Sequence, residues 1–319
     1  MAFSLLHDTT TLTDLQRAIM RTVVYFDLFR HPMRKEEIRR FLQVPCTDEE
    51  QFAEDLEALC TDGILANHAG FYAPKDPSRA IAERRADEER ARTRMAKALR
   101  MSRFIGRFPF VRAVMLSGSM SKGRCAADGD IDFFVITQPG RLWIARTLLV
   151  LYKKVFLLND HRNLCVNYFV DTDHLTIEDH NLFTATEVMT LIPTWNGPQC
   201  AAFFRANEWA QRILPNTMHM LTNHLTDKDG WFKRVCERAL AGAFMDEVDE
   251  WCMRRTLDHW RSRFPEFDRS QFDNALRSRR YVSKHHPRDF QRRVLDAFQQ
   301  RWTAFERDHV LEPTTSLLP

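Results

Sequence analysis

Patterns that mark secreted, zinc-binding and membrane-spanning proteins are missing from this 319-residue sequence. Its seven cysteines are odd in number, scattered and never spaced as Cys-x-x-Cys, so neither a disulfide framework nor a zinc site is expected. The first residues lack the basic start and the apolar core of a secretory signal. The most apolar stretch, 142–158, is interrupted by Arg146, Lys153 and Lys154, which predicts a packed helix instead of a membrane span. We therefore expect a cytoplasmic protein with reduced, mostly buried thiols and no membrane contact.

A strong excess of either charge is also missing. The formal net charge is +3, which is too small to indicate nucleic-acid binding by itself. Apolar residues make up 44% of the chain and charged residues 28%, as in ordinary soluble globular proteins. The length suffices for two or three domains, so the function has to be sought in local motifs.

The most informative segment runs from 114 to 137. It opens with a short apolar run that ends at Gly118 and Ser119, which predicts a strand breaking into the N-terminus of a helix. Free backbone N–H groups and the helix dipole attract phosphate at such a point. The hydroxyl of Ser119 is then placed to cap the helix or to hold a phosphate oxygen.

Two acids follow about a dozen residues later, at the start of a predicted strand over 130–137. Asp130 and Asp132 stand at i and i+2, so both carboxylates leave the same strand face, while Ile131 and Phe133 point to the other. Two neighbouring carboxylates form half of a Mg²⁺ or Mn²⁺ site that substrate phosphates would complete. The alternative, that both acids are only turn residues, is disfavoured by the apolar run that follows them directly.

Together these residues resemble the pattern of the nucleotidyltransferase superfamily, which includes DNA polymerase beta, the antibiotic nucleotidyltransferases and the small MNT-type proteins. Gly118 and Ser119 match its Gly-Gly/Ser turn, and Asp130 and Asp132 match its Asp-x-Asp strand. The resemblance covers residues 106–200 and implies an α+β fold, with a mixed sheet covered by helices. It also implies metal-dependent transfer of a nucleoside monophosphate from a nucleoside triphosphate, ATP being the expected one, to a hydroxyl acceptor.

The resemblance also implies roles for individual residues. Gly118 and Ser119 would hold the β and γ phosphates, Asp130 and Asp132 would bind the metal, and Lys122 would offset phosphate charge. The acceptor stays open among a small molecule, a protein side chain, an RNA end and another nucleotide.

A third carboxylate, which the family usually supplies from a neighbouring strand, is not evident. In the predicted strand 164–170 its position falls on Asn167, whose amide could coordinate a cation but could not act as a general base. Asp171 lies four residues further on and fills the role only if this register is wrong. The chain is therefore either an active transferase or a catalytically impaired nucleotide-binding module with a regulatory or scaffold role.

Beyond this core, helical periodicity and turn signals predict the domain organisation. A third N-terminal helix, capped at Thr47 with Glu50 three residues on, precedes a short hairpin, as in a winged-helix fold. After about Ala201 only helical signals are present. The predicted parts are a winged-helix-like domain (1–75), a linker helix (76–105), the nucleotidyltransferase core (106–200) and a helical C-terminal domain (201–319).

A DNA-binding regulator is the weakest functional hypothesis. The third N-terminal helix carries seven acids and neither Lys nor Arg between Thr47 and Asp62, so it would repel the phosphates of a duplex. A protein partner suits this domain better.

The C-terminal region contains a basic segment, 277–293. Within it Lys284, His285 and His286 precede a predicted helix, a suitable position for holding a triphosphate or an anionic acceptor. Adjacent histidines tend to point apart, so a zinc site is not expected there. The plain alternative is a solvated basic patch.

Overall fold

The computed structural model describes residues 12–156, 164–219 and 229–309, which form a mixed α+β structure. The helices are α1 Asp14–Asp27, α2 Lys35–Phe41, α3 Glu49–Thr61, α4 Ser78–Gly106, α5 Gly118–Ser121, α6 Leu142–Phe156, α7 Leu182–Met189, α8 Gly197–Ala206, α9 Trp209–Ile213, α10 Trp231–Ala239, α11 Phe244–Arg263, α12 Arg269–Ala275 and α13 Phe290–Asp308. The strands are β1 Ala66–His68, β2 Phe71–Ala73, β3 Val111–Ser117, β4 Asp132–Thr137, β5 Cys165–Asp171, β6 Ile192–Trp195, β7 Ser278–Arg279 and β8 Val282–Lys284.

A six-stranded mixed sheet, in the order β6-β3-β4-β5-β8-β7, forms the centre of the structure. Strands β4 and β5 are parallel, and every other neighbouring pair is antiparallel. The helix α6 connects the two parallel strands, as a parallel pair requires. The predicted mixed sheet with helices is therefore confirmed.

Both faces of the sheet are covered, because its central strands are apolar on alternate sides. Phe133 and Val135 of β4 are fully buried in a cluster with residues of α4 and α6. Phe134 and Ile136 point to the opposite face and pack in a second cluster that continues into α1 and α13. Fully burying such a side chain stabilises the fold by about 1.5–3 kcal/mol, so both layers hold the sheet in place.

An irregularity in β5 shapes the second face. Phe133 pairs with Val166 and Phe134 pairs with Tyr168, so Asn167 is an extra residue in the ladder. Because of this bulge, Asn167 and Tyr168 both contact residues on the same side of β4: Asn167 contacts Asp132, and the Tyr168 ring stacks on Phe134 with centroids 5.2 Å apart.

The N-terminal part contains the three expected helices and the hairpin, which pairs Ala66 with Ala73. The cap of α3 was wrongly predicted: Asp48, not Thr47, accepts the backbone N–H groups of Glu50 and Gln51. The carboxylate of Asp48 provides the same capping chemistry one residue later in the chain.

Ion pairs join this N-terminal part to the long helix α4. Arg84 is only 1% exposed, and its guanidinium contacts Glu37 of α2 at 2.7 Å and Glu88 at 3.0 Å. On the same helix, Asp87 contacts Arg124, which follows the Gly118 turn, at 2.7 Å. The charged side chains of this helix therefore form, in part, a buried contact surface.

Three features of the fold differ from what the sequence predicted or were not foreseen. The C-terminal part is not purely helical, because β7 and β8 extend the sheet through pairing with β5. Within the region predicted as helical, α10 and α11 are separate helices, divided by the residues around Gly242. The strand β6 was not foreseen because it contains Pro193, which is tolerated since β6 lies at the edge of the sheet.

The sequence predicted neither a disulfide framework nor a membrane-spanning helix, and the described residues bear on both predictions. All seven cysteines are free thiols, and five of them are buried. No helix within the described ranges combines the length and the apolar character needed to cross a bilayer.

Candidate functional site

A cavity of about 950 Å³ lies on the sheet face that carries Asp132 and Phe134. Its walls come from both ends of the chain, with Tyr25 of α1 on one side and Phe290 at the start of α13 on another. The predicted site residues that line it are Gly118, Ser119, Lys122, Asp132, Asn167 and Lys284. Its size is at the upper end of the range for small-molecule sites.

The Gly118 turn forms one edge of the cavity. Gly118 has φ +67°, and a Cβ at this position would collide with the carboxylate of Asp132. Only glycine meets both conditions, so the turn and the acid are packed directly against each other. The predicted helix begins at Gly118 as α5 and has only four residues, and Ser119 is exposed towards the cavity.

The two acids stand at the beginning of β4. Asp132 is its first residue and pairs with Ser117, but Asp130 precedes the strand, which was predicted to begin there. Burial of the Asp132 carboxylate and the neighbouring charge of Asp130 raise its pKa to about 6. Glu187 adds to this shift, and Lys122 opposes it. The two acids are therefore close enough to repel each other.

Asn167 contacts Asp132 directly. Its Nδ2 donates a hydrogen bond to Oδ1 of Asp132 at 2.8 Å, and its own Oδ1 accepts one from the Cys165 thiol at 3.2 Å. Burial, together with Asp132 and Asp130, raises the pKa of Cys165 to about 12, so the thiol stays protonated. Asn167 thus stands beside the acid pair, at the place foreseen for a third ligand, although its amide nitrogen faces Asp132.

Asp171 lies at the other end of β5. It pairs with Thr137, and its carboxylate accepts hydrogen bonds from the backbone N–H groups of Asp173 and His174. It therefore caps a turn and does not substitute for Asn167.

Lys122 is already paired in this structure. Its Nζ lies 2.9 Å from Oε1 of Glu187 and 3.1 Å from the carbonyl oxygen of Gly118. Glu187, on α7, lines the cavity and is a site residue that the sequence did not reveal, since nothing in the α7 pattern distinguishes it. A phosphate would have to compete with Glu187 for this ammonium.

The carboxylates of Asp130 and Asp132 are suitable ligands for a divalent cation, but two side chains are too few to complete its coordination. Carboxylate oxygens suit Mg²⁺ and Mn²⁺, and burial together with the neighbouring Asp130 makes the ionised form of Asp132 unfavourable, a cost that a bound cation would reduce. Within the described ranges, no group of three or more His, Cys, Asp or Glu residues could hold a metal. Further ligands would have to come from Asn167, substrate or water.

Lys284 lies on the same cavity but some distance from the acids. It belongs to β8, is 5% exposed, and its Nζ contacts Asp179 at 3.3 Å and Gln291 at 2.9 Å. Burial lowers its pKa, against the opposing effect of Asp179. Arg277 contacts the same Asp179 at 2.9 Å, so the basic segment is in part a buried network and not only a solvated patch.

The two histidines diverge as expected. His285 packs on Trp260 with ring centroids 4.8 Å apart, whereas His286 lines the cavity near Tyr168. Burial and nearby cations lower the pKa of His285 to about 3 and that of His286 to about 4. Both rings are therefore neutral at pH 7.

No protein-family model, curated protein or solved structure matches this chain, so the nucleotidyltransferase resemblance depends on the residues of the site itself.

Proposed function

We propose that the protein is a metal-dependent nucleotidyltransferase that moves a nucleoside monophosphate from a nucleoside triphosphate to a hydroxyl acceptor. The observation that carries this proposal is the packing of Asp132 against the Gly118 turn at the edge of a large cavity. This contact brings the two halves of the sequence motif into one site.

In this proposal, Gly118 and Ser119 hold phosphate oxygens, and Asp130 and Asp132 hold Mg²⁺ or Mn²⁺. The bound cation would neutralise phosphate charge and polarise the reacting phosphoryl group. The Asp132 carboxylate, whose charge is poorly compensated, favours such a cation. Lys122 would exchange its contact with Glu187 for a phosphate oxygen.

The proposed reaction needs one proton acceptor. The acceptor hydroxyl oxygen bonds to the α phosphorus, the bond between the α phosphorus and the bridging oxygen to the β phosphorus breaks, and pyrophosphate leaves with the electron pair. Asn167 cannot take the hydroxyl proton. We assign this role to Glu187, a cavity carboxylate that becomes free when Lys122 turns to phosphate.

A second candidate function is nucleotide binding without transfer, in a regulatory or scaffold role. It is favoured by Asn167, which occupies the neighbourhood of Asp132 without adding a carboxylate. The N-terminal part, with its acidic α3, would then contact a protein partner.

Incubation with each labelled nucleoside triphosphate and Mg²⁺ or Mn²⁺ tests both candidates. Pyrophosphate and a labelled product support transfer, whereas calorimetric binding without product supports the second function. If neither product nor binding is found, or if Asp132→Asn leaves both unchanged, the site assignment is wrong. Asp128→Asn, an exposed acid in the preceding loop, is the matched control.

A further inference from the structure

Aromatic rings form two walls of the cavity. On the sheet, Phe134 and Tyr168 stack with ring centroids 5.2 Å apart, and both line the cavity. On the helical side, the ring of Phe290 lies 6.1 Å from that of Phe29, which follows α1, and 6.0 Å from that of Phe183 on α7, measured between centroids. These three rings line the cavity as well. A ligand between the two walls would therefore contact mainly aromatic side chains.

The charged side chains that line the cavity are, with few exceptions, already ion-paired. Arg30 and Arg40 also line it, but both are exposed to solvent. Asp132 is the lining acid that has no ion pair with the described residues. A charged group placed between the rings would lose its hydration without gaining a free counter-charge, so the body of the ligand is expected to be uncharged. The ion pairs, with N···O distances between 2.7 and 3.3 Å, are Glu37–Arg84, Asp87–Arg124, Glu187–Lys122, Asp179–Lys284 and Asp289–Arg292.

The hydroxyl of Tyr168 is an uncharged polar group within this ring site. It makes no hydrogen bond to the described residues, and burial raises its pKa, so it keeps its proton at neutral pH. A phenolic hydroxyl can donate one hydrogen bond and can also accept one. It is therefore available to one polar atom of an uncharged ligand.

The rings on the sheet begin close to the acid of the proposed metal site. Phe134 follows Asp132 by two residues on β4, so their side chains leave the same face, about 7 Å apart along the strand. On β5, Tyr168 directly follows Asn167, whose amide donates a hydrogen bond to Asp132. A ligand that lies on these rings therefore has one end beside Asp132.

We infer that the two ring walls bind the acceptor, and that the acceptor is a small, uncharged aromatic compound with a hydroxyl group. The volume of about 950 Å³ suits a small molecule, and aromatic rings pack favourably against one another. The hydroxyl of the acceptor lies towards Asp132, where it bonds to the α phosphorus in the proposed reaction. This inference rests on the proposed function for the meaning of "acceptor", but the ring site itself does not.

Equilibrium dialysis of the full chain in EDTA, without nucleotide, tests the ring site with three probes of similar size. Naphthol is uncharged at neutral pH, naphthoate is an anionic analogue, and naphthylmethylammonium is a cationic one. We expect naphthol to bind with one-to-one stoichiometry and at least about tenfold more tightly than either charged analogue, because the charged groups would be desolvated without a partner. Absence of naphthol binding, or equally tight binding of a charged analogue, would overturn the inference.

Two variants locate the bound probe. Phe290→Ala should weaken naphthol binding about tenfold, because it removes one ring of the helical wall. Phe232→Ala, the same change at an exposed position of α10 outside the cavity, should leave binding unchanged, and an equal loss in this control would overturn the inference. If Phe290→Ala is poorly folded, Tyr168→Phe keeps the ring and removes only the hydroxyl, and should weaken naphthol binding about fivefold.

A last measurement separates the acceptor from the nucleobase of the triphosphate. With a nonhydrolysable nucleoside triphosphate and Mg²⁺ present at saturation, naphthol should still bind, and Phe290→Ala should leave the affinity for the triphosphate unchanged. If the triphosphate instead displaces naphthol, the rings hold the nucleobase and the acceptor assignment is wrong. Failure of triphosphate binding in every chain, with naphthol binding intact, would reject the proposed function and keep the ring site.

Discussion

Asp132→Asn should stabilise the metal-free protein, although it removes the central residue of the proposed site. The pKa of this carboxyl is raised from 3.8 to about 6. A shift of about two pH units corresponds to about 3 kcal/mol of unfavourable interaction with the ionised form. An amide of the same shape avoids this cost and can still accept the hydrogen bond from Asn167.

The raised pKa of Asp132 makes the folding stability of the wild-type chain fall as the pH rises. The unfolded carboxyl ionises near pH 4, whereas the folded one keeps its proton until about pH 6. Between these values the folded state binds more protons, so the wild-type chain loses stability as the pH rises. Above about pH 6 the loss is complete, and Asp132→Asn should be more stable by up to about 3 kcal/mol; near pH 4 the two proteins should be equal.

Urea unfolding at pH 4.5 and pH 8 in EDTA, followed by tryptophan fluorescence, measures this difference. Asp128→Asn is the control for a change of net charge at an exposed position. Adding Mg²⁺ with a nonhydrolysable triphosphate at about 100 times its dissociation constant should stabilise only the wild type, by about 2.7 kcal/mol, and so nearly cancel the gain of the variant. An Asp132→Asn chain no more stable than the wild type at pH 8 in EDTA would refute the reasoning.

Three other predictions concern the same site. Gly118→Ala should destabilise the fold by about 1–3 kcal/mol, because φ +67° and the contact with Asp132 both exclude a Cβ; a thermal midpoint equal to the wild type would contradict this. Asn167→Asp should raise basal triphosphate turnover and tighten metal binding, and a lower turnover rate, measured by pyrophosphate release, would show that Asn167 is not a replaced acid. Glu187→Gln should lower turnover about 100-fold or more while triphosphate affinity, measured by calorimetry, changes little; an unchanged rate would exclude Glu187 as the proton acceptor.

The features that could be predicted from sequence are those encoded in short stretches of chain. The Gly118 turn and the two acids, Asp130 just before β4 and Asp132 at its start, lie within 15 residues of each other, and the pairing of β3 with β4 brings them together. The position of Asn167 followed from counting along one apolar strand. The bulge that turns Tyr168 to the same face was missed, because an extra residue in a ladder leaves no mark in an apolar run.

Contacts between distant parts of the chain could not be predicted. Glu187 reaches Lys122 from a helix whose order of polar and apolar residues is unremarkable, and Lys284 meets Asp179 across more than 100 residues. The strands β7 and β8 have two and three residues, which is too short for an alternating pattern to be recognised. These segments are strands because β8 pairs with β5 and β7 pairs with β8, and those long-range contacts form only in the folded chain.

The burial of Arg84 limits how freely the N-terminal part could be exchanged during evolution. Its guanidinium, 1% exposed, depends on Glu37 and on the carbonyl oxygen of Pro32, both of which belong to the segment before α4. A truncated chain starting at residue 76 would keep Glu88 but would lose those two acceptors. A foreign N-terminal module would need to supply an acid and a carbonyl at the same places. The N-terminal helices and α4 are therefore expected to be inherited together in any lineage that keeps this arginine.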